Sequence, residues 1–273
     1  MDYAFMKIAD ETQKITRLEK YSLNGKTIEL VKRDNHPFSD VEVFAPADLE
    51  KIYTGLYNAA LRKQKEKYAQ ITVVEKDSFE AAKGLKNPLV MNFASATHRG
   101  GGFLTGSHAQ EESLCRCSTL YASLTAQGAN KYYEYNRSLH SPLYSDYMLL
   151  SSNVCVFRDA KLNLLAEPYN VAVATVPAPN LRSMKVEQDD LSHLMLRRIR
   201  YFLVMVAAKG YKNLVLGAWG CGAFRHNPYD VAGYFHKVLI DEGFAALFEN
   251  VVFAIVKSND NFKAFQKTFS NIK

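Results

Sequence analysis

Three consecutive glycines, Gly100-Gly101-Gly102, follow an apolar run and precede two glutamates, and no other stretch constrains this chain as strongly. The run Leu89-Val90-Met91-Asn92-Phe93-Ala94 reads as a buried strand. After the glycines come Phe103-Leu104-Thr105-Gly106-Ser107-His108-Ala109 and then Gln110-Glu111-Glu112. Leu114, Thr119, Leu120, Ala122, Ser123 and Leu124 continue at helical spacing. Strand, glycine loop and helix start in that order is how α/β proteins build anion sites from backbone N–H groups. Glycines without Cβ can enter positive-φ conformations and press the backbone against a ligand. Ser107 with Gln110 three residues later is a capping-box pattern, so the spacing predicts an N-cap at Ser107 and one helix to about Gln127. Glu111 and Glu112 then fall in its first turn. The loop is not a Walker A motif, since no Gly-Lys-Ser/Thr closes it, and its glycine spacing excludes a dinucleotide fingerprint.

A second glycine loop, Gly217-Ala218-Trp219-Gly220-Cys221-Gly222-Ala223-Phe224, follows the apolar segment Asn213-Leu214-Val215-Leu216. In a parallel sheet both loops leave from the carboxyl edge, where ligands bind, and two such loops can hold a diphosphate with backbone donors. Further strands are expected over Ile71–Lys76, Val154–Phe157, Val171–Pro177 and Val251–Val256. Helices are expected over Ser78–Lys83, Asp189–Ala208, from Asn227 onward, and around Asn259–Phe269. The arginines Arg197, Arg198 and Arg200 read as surface charge on the second of these helices. Asn130 to Ser145, with Tyr132, Tyr133, Tyr135 and Tyr144, reads as irregular structure whose rings either stack on a base or pack the loop. Strands alternating with helices imply a largely parallel sheet covered on both faces.

The first seventy residues read differently. Tyr3 to Arg17 allows an amphipathic helix, two short strands follow at Thr27–Val31 and Val41–Phe44, and turn chemistry at Asp34-Asn35-His36-Pro37 lies between them. A helix from Pro46 to Tyr68 ends in the charged face Arg62–Lys67, a solvated surface or a basic contact. The expected division is therefore an accessory, mainly helical extension over residues 1–70 and a main α/β domain over 71–273.

Lys and Arg exceed Asp and Glu by 34 − 28 = +6, a mildly basic balance that suits a polyanionic substrate. Four cysteines in 273 residues make no disulfide framework, and Cys115-x-Cys117 lacks a second pair at zinc spacing. Reduced thiols, a cytoplasmic location, no metal and no cofactor are the expectations. Cys115 and Cys117 have no evident activating base and read as structural. No apolar run is long enough to span a membrane.

Gly-Gly-Gly, a spacer of this length, and Gln-Glu-Glu resemble the signature of poly(ADP-ribose) glycohydrolases, which are macrodomain proteins. The wider block Asn92–Ala96 through Gln110–Arg116, together with Gly217–Phe224, is similar to the bacterial-type branch, and the resemblance covers most of the chain from about Ile71 onward. It implies a three-layer α/β/α macrodomain-like fold with a mixed, largely parallel sheet. It implies an enzyme that cuts ribose–ribose O-glycosidic bonds, with ADP-ribose polymers and ADP-ribosylated macromolecules as partners and a monomer as the working form. Glu112 matches the family's catalytic acid and Glu111 the glutamate that holds ribose hydroxyls. Asn92, Gly100, Gly101, Gly102, Gln110, Gly217, Gly220, Cys221, Gly222, Ala223 and Phe224 match its substrate-binding positions. His98-Arg99 departs from the Asn-Pro expected before the glycines, and Arg99 either adds a charge near the phosphates or points to solvent. An ADP-ribose reader without turnover and a hydrolase of mono-ADP-ribose on protein or nucleic acid are the competing readings; retention of both glutamates favours an enzyme.

Overall fold

A computed structural model describes residues 2–63, 69–182, 186–256 and 259–270, side chains excepted over 57–63. The charged run Arg62–Lys67 lies outside the described side chains. In chain order the elements are α1 (Tyr3–Leu18), β1 (Lys20–Leu23), β2 (Lys26–Glu29), β3 (Glu42–Phe44), α2 (Pro46–Lys63), β4 (Gln70–Val74), α3 (Ser78–Ala82), β5 (Pro88–Ala94), α4 (Gln110–Cys117), α5 (Leu120–Thr125), α6 (Asn130–Ser138), β6 (Met148–Arg158), β7 (Leu164–Pro177), α7 (Gln188–Ala208), β8 (Asn213–Leu216), α8 (Pro228–His236), β9 (Asn250–Ala254) and α9 (Asp260–Phe269). Beside the β1–β2 hairpin there is one mixed sheet of seven strands in the order β3-β6-β7-β5-β8-β9-β4, flanked by helices. β5, β8, β9 and β4 pair in parallel, whereas β6 and β7 pair antiparallel. The α/β class and the mixed sheet expected from the sequence are both present.

The chain divides into two compact units, residues 1–43, 92–140 and 147–177 in one, and residues 44–91, 141–146 and 178–273 in the other. These units do not follow the boundary expected at residue 70. In the first, β6 and β7 carry the core: Met148, Leu149, Val154, Val156, Phe157 and Val171 to Ala174 are fully buried. Each Val, Leu, Met or Phe side chain among them contributes about 1.5–3 kcal/mol when removed from water. Ile15 of α1, Tyr21 of β1, Leu30 and Phe38 pack on Cys155 and Phe157 of β6. Residues 1–43 are therefore part of this core.

Helix formation here departs from the single segment expected after the glycine loop. Ser118 is fully extended (φ −149°, ψ −179°) and bridges Val156 of β6. Its hydroxyl donates to Leu114 O, while Thr119 N–H donates to Cys155 O at 3.0 Å. That strand-like bridge takes the bonds a continuing helix needs, so α4 stops at Cys117 and α5 starts anew. The tyrosine-rich stretch is also not irregular. Asn130–Ser138 forms α6, with Tyr132 and Tyr133 fully buried and edge-to-face, ring centroids 4.7 Å apart.

In the second unit, α8 and α9 pack on β9, where Phe235, Phe253, Phe265 and Phe269 form a contiguous aromatic cluster. Trp219 meets Phe235 edge-on at 6.5 Å. α7 covers the expected residues, but Arg198 is fully buried rather than at the surface. Among the described residues no helix is long and apolar enough to cross a membrane.

Candidate active site

The glycine loop, the end of β5 and the first turn of α4 all lie in the first unit. α4 begins at Gln110 behind Ala109, not at Ser107, and no side chain caps it. The reason lies in the spacer: Phe103–Thr105 forms a 3-10 turn, Gly106 turns left-handed at φ 78°, and Ser107 N–H donates to Gly102 O. Ser107 thus closes the loop on itself, and its carbonyl accepts from the Arg116 guanidinium at 2.7 Å. The Gln110 carboxamide oxygen does not turn back to form a capping box either; it accepts from Phe93 N–H of β5 at 2.9 Å.

This tie aligns the next two residues with the strand end. Glu111 Oε2 accepts from Ser95 N–H at 2.8 Å and Oε1 from Asn92 Nδ2 at 3.2 Å. Asn92 Nδ2 also donates to Thr175 Oγ1 at 3.2 Å. Glu112 Oε1 accepts from Gly102 N–H at 2.8 Å. Glu111 and Glu112 retain only 3% and 7% of their exposure, and Asn92 none. On these three side chains two buried oxygens, Glu112 Oε2 and Asn92 Oδ1, have no hydrogen-bond partner among the described residues. A buried acceptor left unmade costs about 1–3 kcal/mol, and these two, one on the residue beside Glu111 and one on the asparagine that donates to Glu111, mark a place prepared for an outside donor.

The glycines have a more specific use than a phosphate cradle. Gly100 and Gly101 adopt φ of 66° and 59°. A Cβ on Gly101 would stand 2.5 Å from Glu112 Oε1 and 3.1 Å from Glu111 Oε2. Both carboxyl groups therefore rest on the bare face of one residue, and a side chain there meets the glutamates directly. A Cβ on Gly100 would meet the Tyr121 ring at 2.9 Å and Cys115 Sγ at 3.2 Å.

Burial pushes Glu111 up to about 8, with the Glu112 charge adding to the rise and the Ser95 and Asn92 donors opposing it. Cys115 is raised well above the usual thiol range by burial and by both glutamates. A buried thiol held protonated in this way is poorly disposed to act as a nucleophile.

Arg99 does not point freely to solvent. Its guanidinium donates to Leu124 O at 2.6 Å and Asn130 Oδ1 at 2.8 Å, and lies 4.5 Å over the Tyr133 ring. The residue that breaks the expected Asn-Pro pattern clamps the loop to α5 and α6. On the other side α1 supports it. A Cβ on Gly106 would come within 2.6 Å of Asp2 O, Thr12 donates to Arg116 O at 2.9 Å, and Arg116 stacks 4.2 Å over Phe5. Sequence reasoning placed the helix but not its docking, because Thr12 looks like an ordinary solvent-facing residue until a partner covers it.

The second glycine loop belongs to the second unit. It leaves β8 by a tight turn in which Trp219 N–H donates to Gly217 O and Cys221 N–H to Ala218 O. Gly220, at φ 79°, is pressed on the His226 ring, which donates from Nε2 to Pro179 O at 2.7 Å. Gly222 and Ala223 are exposed and Phe224 is half-buried, 6.2 Å from the Tyr144 ring. The Cys221 thiol is pushed up to about 12 by burial, so it offers packing rather than chemistry. Among the described residues no group of three His, Cys, Asp or Glu could hold a metal ion.

Residues 9–159 match the model of the microbial-type PARG catalytic domain, where PARG stands for poly(ADP-ribose) glycohydrolase. No curated protein sequence matches. Among solved structures, the glycohydrolase of Thermomonospora curvata is 35% identical with a TM-score of 0.90, covering 98% of this chain and 100% of that one. The same enzyme bound to the inhibitor ADP-HPD gives 34% and 0.87 over the same shares. The glycohydrolase of Deinococcus radiodurans in complex with ADP-ribose is 36% identical at a TM-score of 0.76, over 85% of this chain and 95% of that one. The chain belongs to the microbial-type poly(ADP-ribose) glycohydrolases.

Proposed function

We propose that this protein hydrolyses the ribose–ribose O-glycosidic bonds of poly(ADP-ribose) and releases ADP-ribose, with Glu112 as general acid and then general base. The observation that supports the assignment most directly is the asymmetry of Glu112. One oxygen is fixed by Gly102 N–H, and the other is buried with no partner among the described residues. A group held at one atom and open at the other can place a proton on a defined substrate atom.

Glu112 gives its proton to the departing ribose oxygen while the bond from that oxygen to the anomeric carbon breaks. The bonding electrons leave with the oxygen, and positive charge develops over the anomeric carbon and ring oxygen. A water then adds its oxygen to the anomeric carbon and returns a proton to the Glu112 carboxylate. A general acid must arrive protonated. Two carboxyl groups against one glycine, both withdrawn from water, do not both hold charge cheaply. Glu111, locked by Asn92 and Ser95, and the open Asn92 Oδ1 hold the ribose hydroxyls in this reading. Gly100, Gly101 and Gly102 let the loop approach the glutamates.

The experiment is release of ADP-ribose from auto-modified, poly(ADP-ribosyl)ated protein by wild type and Glu112→Gln. The amide keeps the shape and the Gly102 bond but cannot give up a proton in the same way, so kcat should fall by about 10²–10⁴-fold with ADP-ribose affinity retained. Turnover unchanged in the variant overturns the assignment. Mono-ADP-ribosylated protein as a parallel substrate separates polymer cleavage from removal of the last unit.

A further inference from the structure

Two energetic costs in the second unit converge on one short segment. Arg198, in the middle of α7, is fully buried. Its Nε donates to Asp146 Oδ1 at 2.7 Å, and its Nη2 donates to the carbonyls of Leu143 at 2.7 Å and Tyr144 at 3.0 Å. Asp146 takes a second donor, Arg197 Nε, at 2.8 Å. Tyr144 itself has φ 58°, the left-handed region that a bulky side chain rarely enters. A buried ion pair is weak evidence for stability, because apolar residues of the same volume are often at least as stabilising. A non-glycine residue held in left-handed backbone persists only where its surroundings over-determine it, and such residues cluster at functional sites. Stability alone would favour an aliphatic residue at 198 and a glycine at 144.

What the arrangement achieves is the placement of one ring. The Tyr144 ring lies 6.2 Å from that of Phe224, tilted by 46°. The backbone between them is tied twice more: Asn180 N–H donates to Pro142 O at 2.7 Å, and Leu181 N–H donates to Phe224 O at 3.2 Å. Arg198, the 142–146 segment, the 178–181 segment and Phe224 thus form one hydrogen-bonded chain.

We propose that Tyr144 is a specificity-determining wall of the substrate site, and that Arg198 is a positioning residue that sets it through Asp146 and the Leu143 and Tyr144 carbonyls. This rests on the reading that Phe224 touches the substrate. Tyr144 and Phe224 present two flat, half-buried rings at a fixed tilt, a surface for the planar or furanose rings of a nucleotide. Arg198 touches no substrate; it acts by choosing the backbone state of Tyr144.

The test uses the full chain, with steady-state kinetics on auto-modified poly(ADP-ribosyl)ated protein and a thermal midpoint for each variant. Tyr144→Gly relieves the strained backbone, so its midpoint should equal or exceed that of wild type while KM rises about tenfold and kcat stays within about twofold. Arg198→Met should give the same rise in KM, and Arg198→Lys, which keeps one donor near Asp146, a smaller one. The double variant should be no worse than Tyr144→Gly, since both changes remove the same contact. Should Arg198→Met fail to fold, the opposite movement of midpoint and KM in Tyr144→Gly still decides the proposal. Wild-type KM in Tyr144→Gly overturns it, as does a double variant whose KM effects multiply. Phe224→Ala separates the two readings: raised KM there with wild-type KM in Tyr144→Gly sinks this proposal alone, and wild-type KM in both sinks it together with the role of Phe224.

Discussion

Replacing Gly101 with alanine is the smallest change that should disable this site, and the structure gives its size. At φ 59° an alanine pays roughly 1–2 kcal/mol for left-handed backbone. The new methyl would stand 2.5 Å from Glu112 Oε1, so the carboxyl group must retreat by about 1 Å to reach ordinary contact. It cannot do so and keep its 2.8 Å bond to Gly102 N–H, and an intramolecular hydrogen bond is worth about 0.5–1.5 kcal/mol. A catalytic group displaced by about 1 Å loses on the order of 100-fold in rate, equivalent to about 2.7 kcal/mol in the barrier. The assay is kcat for ADP-ribose release, read beside the thermal midpoint. Gly84→Ala is the control: it carries the same kind of strain, at φ 92°, but its Cβ meets nothing within 4 Å. Gly84→Ala should lower the midpoint by roughly 2–4 °C per kcal/mol of strain and leave kcat alone. Equal kcat in Gly101→Ala and Gly84→Ala would refute the argument that the glycine exists to seat the glutamates.

Three other outcomes follow from the same geometry. Glu111 is raised from its ordinary value near 4.5 to about 8; the folded state then holds a proton that the unfolded chain releases. Its contribution to stability is complete below about pH 4.5 and is lost as pH rises to about 8, so the midpoint of wild type should fall across that window relative to Glu111→Gln; parallel curves would refute the shift. Removing residues 2–18 takes away the support of Asp2, Phe5 and Thr12 under the loop and α4, and should abolish turnover; a soluble truncated protein with wild-type kcat would show α1 to be dispensable. Arg99→Leu breaks the clamp to Leu124, Asn130 and Tyr133, so its midpoint should drop by several degrees without a change in the salt dependence of ADP-ribose binding. A steeper or shallower salt dependence would place the arginine at the phosphates after all.

The chemistry of the site was written locally. Gly100 to Gly102, the spacer and Glu111-Glu112 lie within thirteen residues, and strand, loop and helix order follows from apolar runs broken by glycine. The parallel strands β5 and β8 were equally legible, because a strand buried on both faces is a short continuous apolar run. Such signals survive in sequence because each depends on neighbours a few residues away.

What depended on distant partners was not legible. The capping box at Ser107 is a sound local pattern, yet the loop closes on Gly102 and the Gln110 side chain goes to Phe93 across the strand edge. The helix predicted through Gln127 breaks at Ser118 because β6 offers a bridge to it. Arg99 and Arg198 are charged residues of a kind usually solvated; one is a clamp and the other a buried anchor, since tertiary structure supplied carbonyls, an aromatic face and a carboxylate for their donors. The rise of Glu111 is also a tertiary fact: two adjacent glutamates in a helix turn are ordinary until the site withdraws water from both. Sequence by itself determined which groups could do chemistry and on what kind of scaffold. Only the folded chain decided which of them are dry, which oxygen is left open, and which backbone is held under strain, because burial and long-range hydrogen bonding belong to no local stretch of residues.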